Sequence, residues 1–255
     1  MNPSQNNRFQ DFFADDKYVM LKNYLYNYQL RKHAVEMSLR HEKHDMILEV
    51  GSGVSPVVRP DRNVVYSDVS FLALQTLKQN LREGMYVVAD GMNLPFRSES
   101  FSHVISSEVL EHLEDDTRAL AEIAGVIKPS GVLVITFPHR RFYFSYDDRF
   151  VKHFRRYELS EMESLLRKAG LSPVSVRKVL GPLEKITMCI AVFLFSAVQR
   201  FRMGDRESTQ PSRKLILISF PFKWINKLYA VLAWLDAKIM PRALSAVLLI
   251  KAVKK

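Results

Sequence analysis

The strongest constraint on this chain is a rhythm. Short apolar runs at residues 46–50, 64–66, 85–89, 103–106 and 132–137 are each followed by a polar or helix-patterned spacer. Half-exposed antiparallel strands would alternate apolar and polar residues, whereas continuous short runs fit strands buried on both faces of a parallel sheet. The spacers agree with helices between the strands: Leu72, Leu74, Leu77 and Leu81 follow the second run, and Leu120, Ile123 and Ile127 follow the fourth, with Asp115 or Asp116 as a cap. Lys128-Pro129-Ser130-Gly131 reads as a turn into the fifth strand. Ser160 with Glu163 predicts a capping box for a helix over 161–169, which Gly170 stops, and a sixth strand near 174–179 follows. Residues 245–253 supply a seventh. Ahead of the first run, Tyr18, Leu21, Leu25 and Tyr28 recur at helical spacing, so 16–40 reads as one or two amphipathic helices.

Composition narrows the chemistry. A single cysteine, Cys189, excludes an intramolecular disulfide framework and any multi-thiolate metal site, which fits a reducing, cytoplasmic setting. The first residues, MNPSQNNRFQDFF, lack the apolar stretch of a secretory leader. Lys and Arg number 37 against 27 Asp and Glu, a net charge of +10, which points to an anionic partner. The excess is concentrated in residues 182–244, where ten basic residues face only Glu184, Asp205, Glu207 and Asp236.

Ligands of an open parallel sheet bind beyond the carboxyl ends of the strands, so the residues after each run carry the chemistry. The first run leads into Glu49-Val50-Gly51-Ser52-Gly53, the second to Asp68, the third to Asp90-Gly91 and the fourth to Ser106-Ser107-Glu108. A dinucleotide site needs G-x-G-x-x-G opening a helix at the diphosphate, but here Gly53 is followed by Ser55-Pro56 and Pro60, which leave little room for one. A carboxylate beside the glycines repels a diphosphate and suits a cation, while Asp68 can accept two hydrogen bonds from a ribose diol. A cationic nucleoside without phosphates is S-adenosylmethionine. Taken singly, Asp68 also reads as a helix cap and Asp90-Gly91 as an ordinary turn.

Five pieces in this order, Ile47-Leu48-Glu49-Val50-Gly51-Ser52-Gly53, Asp68, Asp90-Gly91 with Leu94-Pro95-Phe96, Ser107-Glu108-Val109-Leu110-Glu111-His112-Leu113 and Lys128-Pro129-Ser130-Gly131-Val132-Leu133-Val134, resemble class I S-adenosylmethionine-dependent methyltransferases of the type 11 kind. The resemblance covers roughly residues 45–180 and implies an α/β, Rossmann-like, seven-stranded and mostly parallel sheet. Around it the chain would divide into an N-terminal helical arm (1–44), the core (45–181 with 245–255) and a helical insertion (182–244) before the last strand. The cofactor implied is S-adenosyl-L-methionine. Carried over by position, Glu49 and Gly51 would border its methionine part, Asp68 the ribose hydroxyls, and Asp90 the adenine amino group with Gly91 and Met92 alongside, and Gly53 would belong to the same cofactor-binding set. Glu108 would complete the set from the fourth strand. Ser55 replaces the third glycine of the motif and Glu49 lies only 19 positions before Asp68, so the first crossover helix should be stunted.

Methyl transfer from a sulfonium is an in-line displacement governed by holding the acceptor within about 3–3.5 Å, and a general base is optional. Of the candidates His112, His139 and His153, the catalytic roles fall to His112 and His139, the latter because it follows the fifth strand and should face the acceptor. No metal is expected, since His139 and His153 lack supporting cysteines or ligand spacing. The segment 140–157 mixes six Lys and Arg with seven aromatics and reads either as a lid for an anionic head group or as a basic loop pinned by its rings.

In the insertion, 186–198 is uncharged but too short to span a bilayer, and 215–235 is interrupted by Lys223 and Lys227. Helices lying in a membrane interface are expected there, with a helical cap or dimer face as the alternative. The function these readings favour is a cytoplasmic methyltransferase, peripheral on the inner face of a membrane. Its acceptor would be a lipid or lipid-linked molecule, a quinone or a glycan, methylated at oxygen. The alternatives are a nucleic-acid methyltransferase, disfavoured because the fourth strand lacks an Asn/Asp-Pro-Pro-aromatic motif, and a non-catalytic membrane-associated protein that keeps the fold.

Overall fold

The computed structural model describes residues 25–40, 42, 45–202 and 213–255, with 194–202 and 213–223 described as backbone only. Seven strands, β1 (Ile47–Val50), β2 (Val64–Asp68), β3 (Met85–Val88), β4 (Phe101–Ser107), β5 (Ile127–Pro138), β6 (Leu171–Leu180) and β7 (Val247–Lys254), form one sheet in the order β3-β2-β1-β4-β5-β7-β6. Only β7 runs antiparallel to its neighbours β5 and β6. This is the parallel sheet that the apolar rhythm predicts, in the Rossmann-like, seven-stranded arrangement that the resemblance implies. The order reverses between β1 and β4, which opens a crevice beyond their carboxyl ends.

Helices cover both faces: α1 (Tyr26–Leu39), α2 (Phe71–Asn80), α3 (Asp116–Val126), α4 (Tyr146–Phe150), α5 (Leu159–Lys168), α6 (Pro182–Arg202) and α7 (Arg213–Ile239). One face buries Leu48, Val104, Leu133 and Ile135 against Leu120 and Ile123 of α3 and Met162 and Leu166 of α5. The other buries Ile47, Tyr66, Val134 and Leu249 against α1, α2 and α7. The predicted helix in 16–40 is α1 at its C-terminal end, while Tyr18 and Leu21 lie outside the described residues.

Local signals set several boundaries and missed others. Ser70 caps α2 by accepting from the Ala73 N–H, and Asp115 caps α3 by accepting from the Arg118 N–H at 2.9 Å. No helix forms between β1 and β2, as the short spacing implied. The capping box of α5 is made by Glu158 and Glu161, not by Ser160 and Glu163. The cause is tertiary, because the Glu158 carboxylate accepts from Arg140 Nη1 at 2.9 Å and from the Arg141 N–H at 3.0 Å, fixing the helix start two residues early. Residues 128–131 are no separate turn either: β5 starts directly after α3, and Ser130, at φ 60°, absorbs the change of direction within the strand.

The insertion is a helical pair docked on the sheet. The Tyr229 ring meets Tyr26 of α1 edge-on at 4.8 Å, and Ala233 and Ala237 are buried beneath α7. Lys178 of β6 donates to the carbonyls of Lys238 and Met240, closing the C-terminal end of α7, where a cation also complements the helix dipole. Asp236 of α7 accepts from the Leu183 N–H at 3.0 Å and so joins the start of α6 to α7. The opposite faces stay open: Phe193 on α6 and Trp224 and Leu228 on α7 are 61–68% exposed. No helix among the described residues is long and apolar enough to cross a membrane.

A Cβ at Gly181 would overlap the Asp236 carboxylate. Gly181→Ala should therefore loosen α6 and α7 together and cost about 1–3 kcal/mol. Urea unfolding should show the loss, and hydrogen exchange should rise in α7 while the amides of β4 stay protected.

Candidate active site

A cavity of about 330 Å³ opens at the reversal of strand order, within the size range of small-molecule sites. Its floor is the turn after β1. Gly51 has φ 73°, and a Cβ there would overlap Val109, so this position requires glycine both for conformation and for the close approach of the β4 end. Gly53, at φ 53°, donates its N–H to Asp68 Oδ2 at 2.8 Å, while Asp68 Oδ1 accepts from the Ser70 N–H at 2.8 Å. The Asp68 carboxylate thus clasps the glycine turn to the start of α2, and it lines the cavity.

Glu49 replaces the missing helix. Its two oxygens accept from the Val57 and Val58 N–H groups at 2.8 and 2.9 Å, and Tyr28 of α1 donates to the Pro56 carbonyl at 2.7 Å. A buried carboxylate with two backbone donors fixes loop 51–58 as firmly as a helix turn would. On the next strand Asp90 Oδ1 accepts from the Met92 N–H at 2.9 Å, and the Asn93 N–H bonds the Asp90 carbonyl, a compact turn beside the cavity.

The β4 end is strained. Glu108 has φ 57°, unusual for a non-glycine residue and typical of functional sites. Its Oε2 lies 3.4 Å from Arg31 Nη1 of α1. The short helical turn Leu110–His112 then sends His112 toward the cavity and Glu111 into the interior. The His112 and His153 rings meet edge-on, 4.6 Å between centroids. Burial, reinforced by the charge of Glu108, holds the Glu111 carboxyl well above the usual carboxylate range.

The roof comes from segment 140–157 and α6. Asp148 accepts from His153 Nδ1 at 3.0 Å, Arg156 Nε at 2.7 Å and Lys185 Nζ at 2.6 Å, and Lys185 also reaches Asp147 at 2.6 Å. Burial pushes Asp148 up, but the His153 hydrogen bond and the Arg156 and Lys185 charges outweigh it and hold the group well below the carboxylate range. Most cations of this segment are consumed within the protein: Arg140 and Arg141 pair with Glu158 and Glu161, and Arg155 with Asp116. An anionic head group would have to displace those partners. The segment closes the cavity chiefly through Asp147, Asp148, His153 and Arg156.

Of the residues singled out from sequence, Glu49, Gly51, Gly53, Asp68, Asp90, Gly91, Met92, Glu108 and His112 line this one cavity. His139 does not. It is buried elsewhere, with Nδ1 donating to the Ser245 carbonyl at 2.9 Å and its own N–H bonded to the Ala246 carbonyl, so it ties the β5 end to the start of β7. Burial lowers its pKa. His153, a further candidate from the sequence, also lines the cavity, as do Arg31, Glu184 and Met188, which sequence reasoning passed over as site residues because they come from the arm and the insertion rather than from strand ends.

Glu184 gives the roof a pH dependence. Burial first, then the charge of Glu108, push its carboxyl up to about 7 against the opposing Arg156, Arg31 and Lys185. A carboxyl raised in the folded state favours folding below its unfolded pKa, near 4.3, and that contribution disappears as pH rises through about 7. Glu184→Gln, which cannot ionise, should match the parent near pH 4.5 and exceed its stability by about 1–3 kcal/mol at pH 8, measured by urea unfolding at both values.

Comparison with known proteins places this geometry. Residues 48–135 match a family model described as a methyltransferase domain. A demethylmenaquinone methyltransferase of Thermotoga maritima is 30% identical over 111 residues, covering 41% of this chain and 48% of that protein. A Mycobacterium tuberculosis protein named as a probable S-adenosylmethionine-dependent methyltransferase is 28% identical over 159 residues, 59% of this chain and 58% of its own. The chain thus matches about half the length of these curated relatives. Among solved structures, a possible histamine N-methyltransferase from Thermotoga maritima superposes with a TM-score of 0.63 at 17% identity, over 98% of this chain and 99% of that one, which establishes the shared fold.

Proposed function

The chain carries a class I S-adenosylmethionine-dependent methyltransferase domain, and from that premise we propose that it transfers a methyl group to an oxygen of a lipid or lipid-linked acceptor while seated on an anionic membrane surface. When bound, S-adenosyl-L-methionine supplies a sulfonium methyl that is transferred in line to a nucleophile. The cavity fits it: Gly51 and Gly53 line it without side chains, and Asp68 presents a carboxylate already ordered by two backbone donors. Asp68 would hold the ribose hydroxyls. Asp90, Gly91 and Met92 would hold the base, and Glu49, through loop 51–58, would shape the methionine end. His112 and Glu108 lie on the acceptor side, where they orient the nucleophile and exclude water.

The observation that carries the membrane part is the two-sidedness of α6. Glu184 and Met188 line the cavity, while Ile186, Ile190 and Phe193 on the same helix are exposed and continue into the exposed Trp224, Ile225 and Leu228 of α7. Cations flank this apolar face: Lys227 Nζ lies 5.6 Å from the Trp224 ring centre and Lys238 Nζ 4.0 Å from that of Trp234. Apolar side chains edged by snorkelling lysines match an interfacial helix, and each cation near an anionic leaflet contributes about 1 kcal/mol. The quinone named in the Thermotoga relative is an acceptor of this class.

Isotopically labelled S-adenosylmethionine incubated with the protein and separate lipid, glycan and RNA extracts should label the lipid or lipid-linked fraction. Label in RNA would replace this reading with a nucleic-acid methyltransferase. Asp68→Ala should weaken cofactor binding about tenfold to a hundredfold by calorimetry, the loss of charged hydrogen bonds of about 1.5–3 kcal/mol, in a chain that remains folded. Sedimentation with phosphatidylglycerol vesicles should be strong for the parent and lost in a Phe193→Glu, Leu228→Glu double variant. Equal sedimentation of both would remove the membrane from the proposal.

A further inference from the structure

The interior beneath the acceptor side of the cavity holds a group that the methyl-transfer reading does not use. Glu111 is 0% exposed, and neither of its carboxylate oxygens has a hydrogen-bond partner among the described residues. Burying such a group without a partner is costly, so a chain that retains one normally gives it a proton or a cation. Around Glu111 the structure gathers cation ligands. His153 Nε2 stands 3.9 Å from Glu111 Oε1, too far for a hydrogen bond, and one donor atom from each of Glu111, His112 and His153 lies within 4.8 Å of the others. Glu108, three residues before Glu111 and on the same turn, directs Oε2 to Arg31 and leaves Oε1 buried without a hydrogen-bond partner among the described residues.

We infer that Glu111, His112 and His153, with Glu108 on the cavity side, form a binding site for one divalent transition-metal ion. The support behind His153 is already built as a metal site requires. Its Nδ1 meets Asp148, which is also held by Arg156 and Lys185, so the proton sits on Nδ1 and the Nε2 lone pair faces Glu111. An imidazole that donates its far N–H to a carboxylate is the usual second layer of a metal-bound histidine. Two imidazoles with one or two carboxylates suit zinc, manganese or iron rather than magnesium or calcium, which take oxygen. Donor atoms around a tetrahedral ion with bonds of about 2.1 Å stand about 3.4 Å apart, so the His153 ring and the Glu111 carboxylate close by about 0.5 Å on binding and the widest donor pair by at most about 1.4 Å. Sequence order sets His153 beside His139, whereas the fold brings it to Glu111 and His112, some forty positions earlier.

Because His112, His153 and Glu108 also line the cavity, an ion held there would sit at the cavity wall, and with Glu108 kept on Arg31 its fourth position would take a hydroxyl of the acceptor. That consequence rests on the methyltransferase reading; the metal site does not.

The test is direct titration of the chelator-stripped full chain with zinc, manganese and magnesium chloride, followed by calorimetry and thermal unfolding. One zinc or manganese ion should bind per chain and raise the Tm, with magnesium at least tenfold weaker. Glu111→Gln keeps the shape, and it should fold and lose the binding by about a hundredfold or more. His153→Gln should lose it as well, whereas His33→Gln, at an exposed position of α1, should not. Absence of a stoichiometric ion, or equal binding by the parent and Glu111→Gln, overturns the site and leaves Glu111 a buried protonated acid. Labelled methyl transfer by the stripped chain separates the two proposals: transfer without any metal binding defeats the site and spares the function, and binding without an effect on transfer keeps the site and removes the acceptor ligand.

Discussion

The Asp148 carboxylate is the interaction on which the upper half of the molecule depends. One fully buried anion receives His153, Arg156 and Lys185, and Asp147 takes the second contact of Lys185. Three elements meet there: α4, the strand-like return from 153 to 157, and α6. Apolar packing alone would hold these parts against the sheet, but a nondirectional force would not set the orientation of an imidazole. Removing one member of such a cluster leaves an uncompensated buried charge, worth about 3–5 kcal/mol, so the cluster behaves as a unit. It also links the insertion to the cavity, because Lys185 follows directly on Glu184 and precedes Met188 by less than one helical turn. Tyr157 continues the chain of polar ties by donating to Asp116 at 2.9 Å in the first turn of α3.

A second constraint shapes the lower half. With no helix after β1, the Gly51 and Ser52 N–H groups close onto the Ser67 carbonyl of β2, and two acids hold the rest of the turn: Glu49 binds the backbone of Val57 and Val58 from one side, and Asp68 binds Gly53 from the other. The negative charge that makes the site unsuitable for a diphosphate is therefore the same charge that keeps its backbone in place. Structure and ligand preference share one cause, and neither acid can be read as purely structural or purely functional.

The sheet was legible in the sequence because burial on both faces leaves a signature along the chain itself, a run of three to six residues closed by a chemistry-bearing end. Much of the cavity lining was legible for the same reason, since Gly51, Asp68, Asp90 and Glu108 all follow or end such runs. What escaped was set by contacts distant in sequence. Glu158 displaces Ser160 as the start of α5 because Arg140 and Arg141 engage it. His139 stands at a strand end like the others, yet β7 inserts beside β5 and takes its imidazole onto the Ser245 carbonyl, more than a hundred positions away. Glu111 and His112 were visible only as part of a motif, and nothing in their own neighbourhood names His153 as the side chain that faces them.

Helix α6 gathers these strands of argument, because its periodicity divides one short sequence among three jobs. Glu184 and Met188, four apart, face the cavity; Lys185 turns one step round to the buried aspartates; Ile186, Ile190 and Phe193, at spacings of four and three, face outward. A surface that seats the outward face cannot move relative to the cavity wall without moving Lys185, and moving Lys185 means unpairing two buried carboxylates. The outer apolar face and the acceptor side of the cavity are thus parts of one rigid helix. On the proposed function, an acceptor entering from the surface that α6 rests on would meet Met188 and Glu184 before reaching His112, and the insertion would set the route of entry as well as the place of attachment.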